Sequence, residues 1–319
     1  MFNILLQCKY NSLNLIFLAI NLLFFSCTKE VTIDLPQFEP KLVVDCLFGH
    51  DDTLRLNLSK TKGILDFNEK KAIENALVII SEEGNNPDTL YHAGDGKYIS
   101  KLIAKLTQSY TLDVSAPGFP TVNANDIMVH ASPNMGNVSY IENIYVDEEA
   151  GYIVSQARIE ILDDGTGKNY YELILRNRHL IPARNTDELR ISNVIYLQSI
   201  DPVLSNESDI EYHPESLIFS NELFKGHSYI LTVNYVTQPQ YIHNNDLLEY
   251  DHDLIIILRK TSKAYYQFKK HLTRHLYHQE SDFWSGVGEP VPMFSNIKGG
   301  YGIFAAYSGI TDTIINSVR

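Results

Sequence analysis

The sequence predicts a mainly β chain: an N-terminal β-sandwich over 40–132, then a second β-rich, sandwich-like part over 133–319 carrying one amphipathic helix. Three observations lead there. The chain holds 20 Tyr and 14 Phe against one Trp, and Tyr and Phe suit pleated, half-buried surfaces. Short apolar or alternating runs are cut by Gly, Pro, Asn and Asp turn signals roughly every 8–12 residues, as in sandwiches. Only one long stretch repeats its apolar residues at helical spacing. At 319 residues and 44% hydrophobic content, the chain can build one large core or two ordinary ones.

The first 26 residues are organised differently. Lys9 is their only charge, and Leu13–Phe25 ("LNLIFLAINLLFF") is almost wholly apolar. An apolar core of about 13 residues falls short of the roughly 20 that span a bilayer as a helix, and fits a secretory signal. Phe24, Phe25 and Ser26 do not make the small-residue site of ordinary signal cleavage. A small residue directly before Cys27, behind a Leu/Phe-rich stretch, is the pattern of a bacterial lipobox. Phe24 stands where Leu is usual, with Leu23 one place further away. Residues 1–26 are therefore expected to be a lipoprotein signal peptide, with Cys27 bearing diacylglycerol and palmitoyl chains and 27–39 forming a tether. Cysteine usage agrees. Cys8 leaves with the signal and an acylated Cys27 cannot pair, so Cys46 is alone inside "KLVVDCLF", a small buried hydrophobe rather than a reactive thiol.

Beyond the tether, "KLVVDCLFG" is apolar and β-branched and ends at Gly49. In "DTLRLNLSK", Leu54, Leu56 and Leu58 face one way while Arg55 and Asn57 face the other, a half-buried strand. "ENALVIISEEGNNPDTLYHAGDGKYIS" alternates strands and turns, and "SYTLDVSAPGFPTVNANDIMVH" gives two strands about a Pro-Gly turn. "ASPNMGN" (131–137) is the candidate boundary. Long strands follow at "VSYIENIYVD" and "GYIVSQARIEILDDGTGKNYYELILRNR". Their Asp163–Gly167 turn lacks the spaced oxygen ligands and closing Glu of a calcium loop. After strands at "ELRISNVIYLQS", "HSYILTVNYV" and "HDLIIILRK" comes the one clear helix, expected over about 262–280. Ser262 is its N-cap, and Tyr265, Phe268, Leu272 and Leu276 form its apolar stripe. "GGYGIFAAYSGITDTIINS" closes the chain as a buried strand.

The 26 Lys+Arg against 39 Asp+Glu leave a formal charge of −13 with no basic run, which argues against nucleic acid as a partner. His271, His275 and His278 share one side of the helix, a spacing that can chelate zinc. Leu272 follows His271 where a metalloprotease motif needs Glu, and the pattern favours a solvated basic face with Lys269, Lys270 and Arg274. Phe283 and Trp284, in the loop after the helix, are candidates for a ligand or partner patch, or else cover the open end of the sandwich. Nucleophile elbows and phosphate-cradling loops are absent, so no catalytic residue is expected, and no cofactor beyond the Cys27 lipid. Carboxylates paired by folding, as in glycosidases, leave no sequence signature.

Taken together, "VTIDLPQFEPKLVVDCLF", "LRLNLSKT", "IENALVIISEEG", "GKYIS", "SYTLDVSAPGF" and "RKTSKAYYQFKKHL" resemble a Bacteroidota family known as domain of unknown function 4249. "EPVPMFSNIKGGYGIFAAYS" is similar to its most specific signature, S-N-I-x-G-G-x-G-x-F-x-A-Y. Cys46 stands where that family more often has Gly. The resemblance implies an outer-membrane lipoprotein accompanying a TonB-dependent receptor. It also implies an immunoglobulin-like or carboxypeptidase-regulatory-like first sandwich, and no established catalytic residues. In this group acidic residues after the lipidated Cys can direct surface export, and "TKE" offers Glu30 beside Lys29. The expected function is thus a non-enzymatic accessory or binding subunit of a TonB-dependent nutrient receptor. The alternatives are an adhesion or envelope-assembly lipoprotein and, after it, a hydrolase.

Overall fold

A computed structural model describes residues 38–63, 66, 68, 71–147, 152–182, 187–197, 201–207, 215–237, 242–243, 246–247, 252–279 and 291–315. The signal, Cys27 and all of the tether but residues 38–39 lie outside the described residues. The chain is mainly β, as its composition and alternation predict. Eight strands occupy the first part: β1 (Leu42–Gly49), β2 (Thr53–Lys60), β3 (Leu77–Glu82), β4 (Asp88–Thr89), β5 (Tyr91–His92), β6 (Lys97–Ile103), β7 (Ser109–Ser115) and β8 (Val122–Ile127). The second part begins with the long strands β9 (Met135–Asp147), β10 (Tyr152–Leu162) and β11 (Tyr170–Pro182), then β12 (Asp187–Asn193) and β13 (Ile195–Tyr196). A short helix α1 (Pro202–Asn206) precedes β14 (Leu217–Ser220), β15 (Ser228–Thr237), β16 (Ile242–His243), β17 (Asp246–Leu247) and β18 (His252–Thr261). Helix α2 (Lys263–Gln279) and β19 (Tyr301–Ile314) complete the described elements.

Alternation decides the faces. Leu54, Leu56 and Leu58 are all buried while Arg55 and Asn57 are exposed, and each buried leucine contributes roughly 1.5–3 kcal/mol. Helix α1 is an addition to the single helix expected. Its five residues are too few to show a helical period, although Asp201 caps Val203 N at 2.9 Å and proline follows at once. Helix α2 begins where the cap predicts, with Ser262 Oγ accepting from Tyr265 N at 3.2 Å. Its apolar stripe is buried only at the start: Tyr265 is fully buried, Phe268 and Leu272 half-buried, and Leu276 exposed.

A nine-stranded sheet runs β12-β11-β18-β19-β1-β2-β6-β5, with β14 also paired to β11. Two four-stranded sheets, β4-β3-β7-β8 and β13-β15-β10-β9, complete the sandwiches, and β16 pairs with β17. The join is the parallel pairing of β1 with β19, Val43 opposite Tyr301 through Gly49 opposite Tyr307. Strand β19 therefore serves three cores. Phe304 and Ala306 enter the core of the first part, Ile310 and Ile314 pack on the second, and Ile303 and Ala305 meet Tyr265 of α2 on the opposite face. The boundary at 132/133 thus separates two hydrophobic cores, yet one sheet crosses it, and Pro40–Arg319 form one compact unit. Cys46 lies within β1 opposite Phe304, fully buried, and burial pushes its thiol far up, out of reach of ionisation. Strand β1 runs through this position without a turn.

Candidate ligand-binding cleft

Where α2 rises from the sheet, a cleft of about 530 Å³ opens beside β1 and the start of β19. Its walls are Val43, Asp45 and Leu47 of β1, Phe268, Lys269 and Leu272 of α2, and Met293, Phe294 and Ser295 of the approaching segment. Tyr301, Gly302 and Ile303 complete it. A mostly apolar cleft of this size with a few polar groups has the form of a small-molecule site. The Lys41 ammonium lies over the Tyr301 ring, 5.4 Å from its centroid.

The segment 295–307 ("SNIKGGYGIFAAY") builds this cleft through the backbone. Asn296 Oδ1 accepts from Phe304 N at 3.0 Å and its Nδ2 donates to Phe304 O at 2.7 Å. Strand β18 pairs with β19 only from Tyr307 onward, so the earlier edge would be bare without such partners. Asp126 Oδ2 takes Ala306 N at 2.9 Å, and Ser262 N donates to Ala306 O at 2.9 Å. Gly302 has φ +108°, and a Cβ there would lie 1.8 Å from Val44 O. At Gly300 it would meet Leu42 O at 2.7 Å. Glycine is what allows β19 to lie against β1 here.

A profile of the family described as domain of unknown function (DUF4249) matches residues 28–312. This chain belongs to the DUF4249 family. No curated protein matches it. In this DUF4249 protein the S-N-I-x-G-G-x-G-x-F-x-A-Y signature is thus a structural device: its amide, glycines and apolar residues set the cleft wall and join the two halves.

Helix α2 is fastened by buried charge. Glu172, wholly buried on β11, accepts from Ser216 Oγ at 2.7 Å through Oε1, and the same oxygen forms an ion pair with Lys269 Nζ at 3.2 Å. Its Oε2 accepts from Tyr265 Oη at 2.6 Å and Arg259 at 2.8 Å. Burial pushes the Glu172 carboxyl up, but Lys269 and Arg259 outweigh it and hold it below its ordinary value. Glu207 does the same for the neighbouring pair on α2, with Lys270 Nζ at 2.8 Å and the Tyr266 hydroxyl, and also accepts from Ser220 N at 2.8 Å. Of the solvated basic face expected of α2, Arg274 is exposed, but the two lysines are corrected here. Lys269 and Lys270 are mostly buried, because two carboxylates on the sheet side draw them in. The only hint in the sequence was a charged residue among the apolar positions of "YYELIL".

Helix α2 places the three histidines as spaced, and two of them bind backbone through Nδ1. His271 Nδ1 donates to Pro292 O at 3.1 Å and His275 Nδ1 to Val291 O at 3.0 Å, while His278 is exposed. Among the described residues no group of three or more His, Cys, Asp or Glu is placed to hold a metal ion. Phe283, Trp284 and Cys27 lie outside the described residues. The Asp163–Asp164 turn meets donors rather than a cation site: Gly165 N, Gly226 N, Asn169, Asn221 and Tyr171 bind Asp163, and Lys260 binds Asp164.

Proposed function

We propose that this protein is an outer-membrane lipoprotein, anchored through Cys27, that acts by binding as an accessory subunit of a TonB-dependent receptor. The observation that carries the reading is the cleft beneath α2: apolar, of ligand size, and walled by two paired strands and a helix pinned by buried ion pairs. A rigid recognition surface on a membrane tether raises its effective concentration near a receptor, so modest affinity suffices. The lipobox pattern and DUF4249 membership support the setting. Two measurements test it. Cys27→Ala is expected to release the chain from membranes and abolish lipid labelling; a variant that stays membrane-bound sinks the anchor. Mild detergent extraction of the native chain is expected to bring a TonB-dependent receptor with it, and isolation without one sinks the accessory role.

An assembly role has one observation of its own. Among the described residues β9 pairs only with β10 and exposes Ile141, Tyr145 and Val146. Such an edge can accept a strand from another protein. Recovery with other envelope proteins, and a deletion strain whose growth does not depend on the nutrient supplied, favours that reading.

A further inference from the structure

The charges on the cleft wall narrow what it takes. The Glu172 carboxylate sits between two cations, Arg259 and Lys269, so the cluster carries one positive charge in excess. That carboxylate already accepts hydrogen bonds from Ser216, Arg259 and Tyr265, and pairs with Lys269 at 3.2 Å. Besides that ion pair, Lys269 lines the cleft, its side chain 22% exposed. A half-buried ammonium with donors to spare, set in an apolar wall, suits a carboxylate. Asp45 of β1, which lines the same cleft, is exposed between Val43 and Leu47, and it suits an ammonium. Phe268, Leu272, Phe294 and Ile303 line the same cleft.

We propose, resting on the reading of this cleft as the recognition surface, that it binds a short apolar peptide with free ends. Lys269 receives the C-terminal carboxylate, Asp45 the N-terminal ammonium, and the apolar walls the side chains. A volume of about 530 Å³ has room for two or three residues and not for a folded segment.

The test uses the full chain with tri-leucine, its C-terminal amide, its N-acetyl form and octanoate, titrated by calorimetry. Tri-leucine is expected to bind, and each blocked form to bind about tenfold more weakly. Lys269→Gln should erase the penalty for the amide, and Asp45→Asn the penalty for acetylation. Because Lys269 also holds Glu172, Leu272→Trp, outside the ion cluster, is expected to block the peptide while leaving the unfolding transition in place. Equal binding of free and blocked peptides overturns the proposal, as does a discrimination that survives in both charge variants. Octanoate binding as tightly as tri-leucine also overturns it. The two readings fail separately. A receptor that co-purifies with a chain deaf to peptides leaves the accessory role standing, and a peptide-binding chain found without a receptor removes that role alone.

Discussion

Replacing Gly302 by alanine tests whether the seam between β1 and β19 holds the two halves together. The residue opposes Val44 in the parallel ladder, at φ +108°, and the new methyl would lie 1.8 Å from Val44 O. Two costs add. An L-residue in that backbone region is strained by about 1–3 kcal/mol. Forcing a methyl between closed strands costs about 1–3 kcal/mol more, because β1 must shift and carry Cys46 and Phe48 with it. The sum is about 2–6 kcal/mol. Gly118→Ala is the control: φ is +80° there, yet nothing lies within 4 Å of the added Cβ, so it carries the backbone cost alone. Urea unfolding of both variants against the parent chain separates the terms. Gly302→Ala should lower the midpoint well beyond Gly118→Ala. Equal midpoints would falsify the seam argument, since the close approach to Val44 would then cost nothing.

Glu172→Ala leaves Arg259 and Lys269 without their shared carboxylate, and should destabilise the chain by about 3–5 kcal/mol in urea unfolding; a loss below 1 kcal/mol would show that the network is not what fastens α2. Because the folded-state carboxyl of Glu172 lies below its ordinary value, its contribution is present above the unfolded value and disappears as pH falls through the folded one. Asp126 behaves oppositely. Burial pushes it up to about 6, hydrogen bonds from Ser262, Ala306 and Ile127 holding it partly back. The folded state therefore binds the extra proton, and stability drops as pH rises from about 4 to about 6, by at most about 3 kcal/mol. Unfolding midpoints at pH 5 and 7.5 should differ less in Asp126→Asn than in the parent; an unchanged difference refutes the assignment. His271→Ala and His275→Ala should each cost about 0.5–1 kcal/mol by freeing the Pro292 and Val291 carbonyls, with metal content measured by mass spectrometry unaltered. A metal lost on substitution would restore the zinc reading.

Local pattern carried the parts of this protein that depend on neighbours in sequence. The alternation in "LRLNLSK" fixes which face of β2 is buried, Ser262 marks the start of α2, and the apolar run around Cys46 predicts a buried thiol. The extent of α2's packing was legible only at its first turn, since a stripe shows which residues align and not how far the sheet follows them. What lies far apart in the chain was decided by tertiary structure alone. Nothing local says that β1 pairs with β19, that Glu172 meets Arg259 and Lys269, or that Asn296 clamps Phe304. Charge shows the same divide: the lysines of α2 read as a solvated face because sequence gives their spacing, whereas burial against Glu172 and Glu207 depends on which strands lie beneath. A sequence period determines the face a residue presents. Only the folded sheet determines what that face meets, and the cleft exists where the two disagree, as α2 leaves the sheet before its apolar stripe ends.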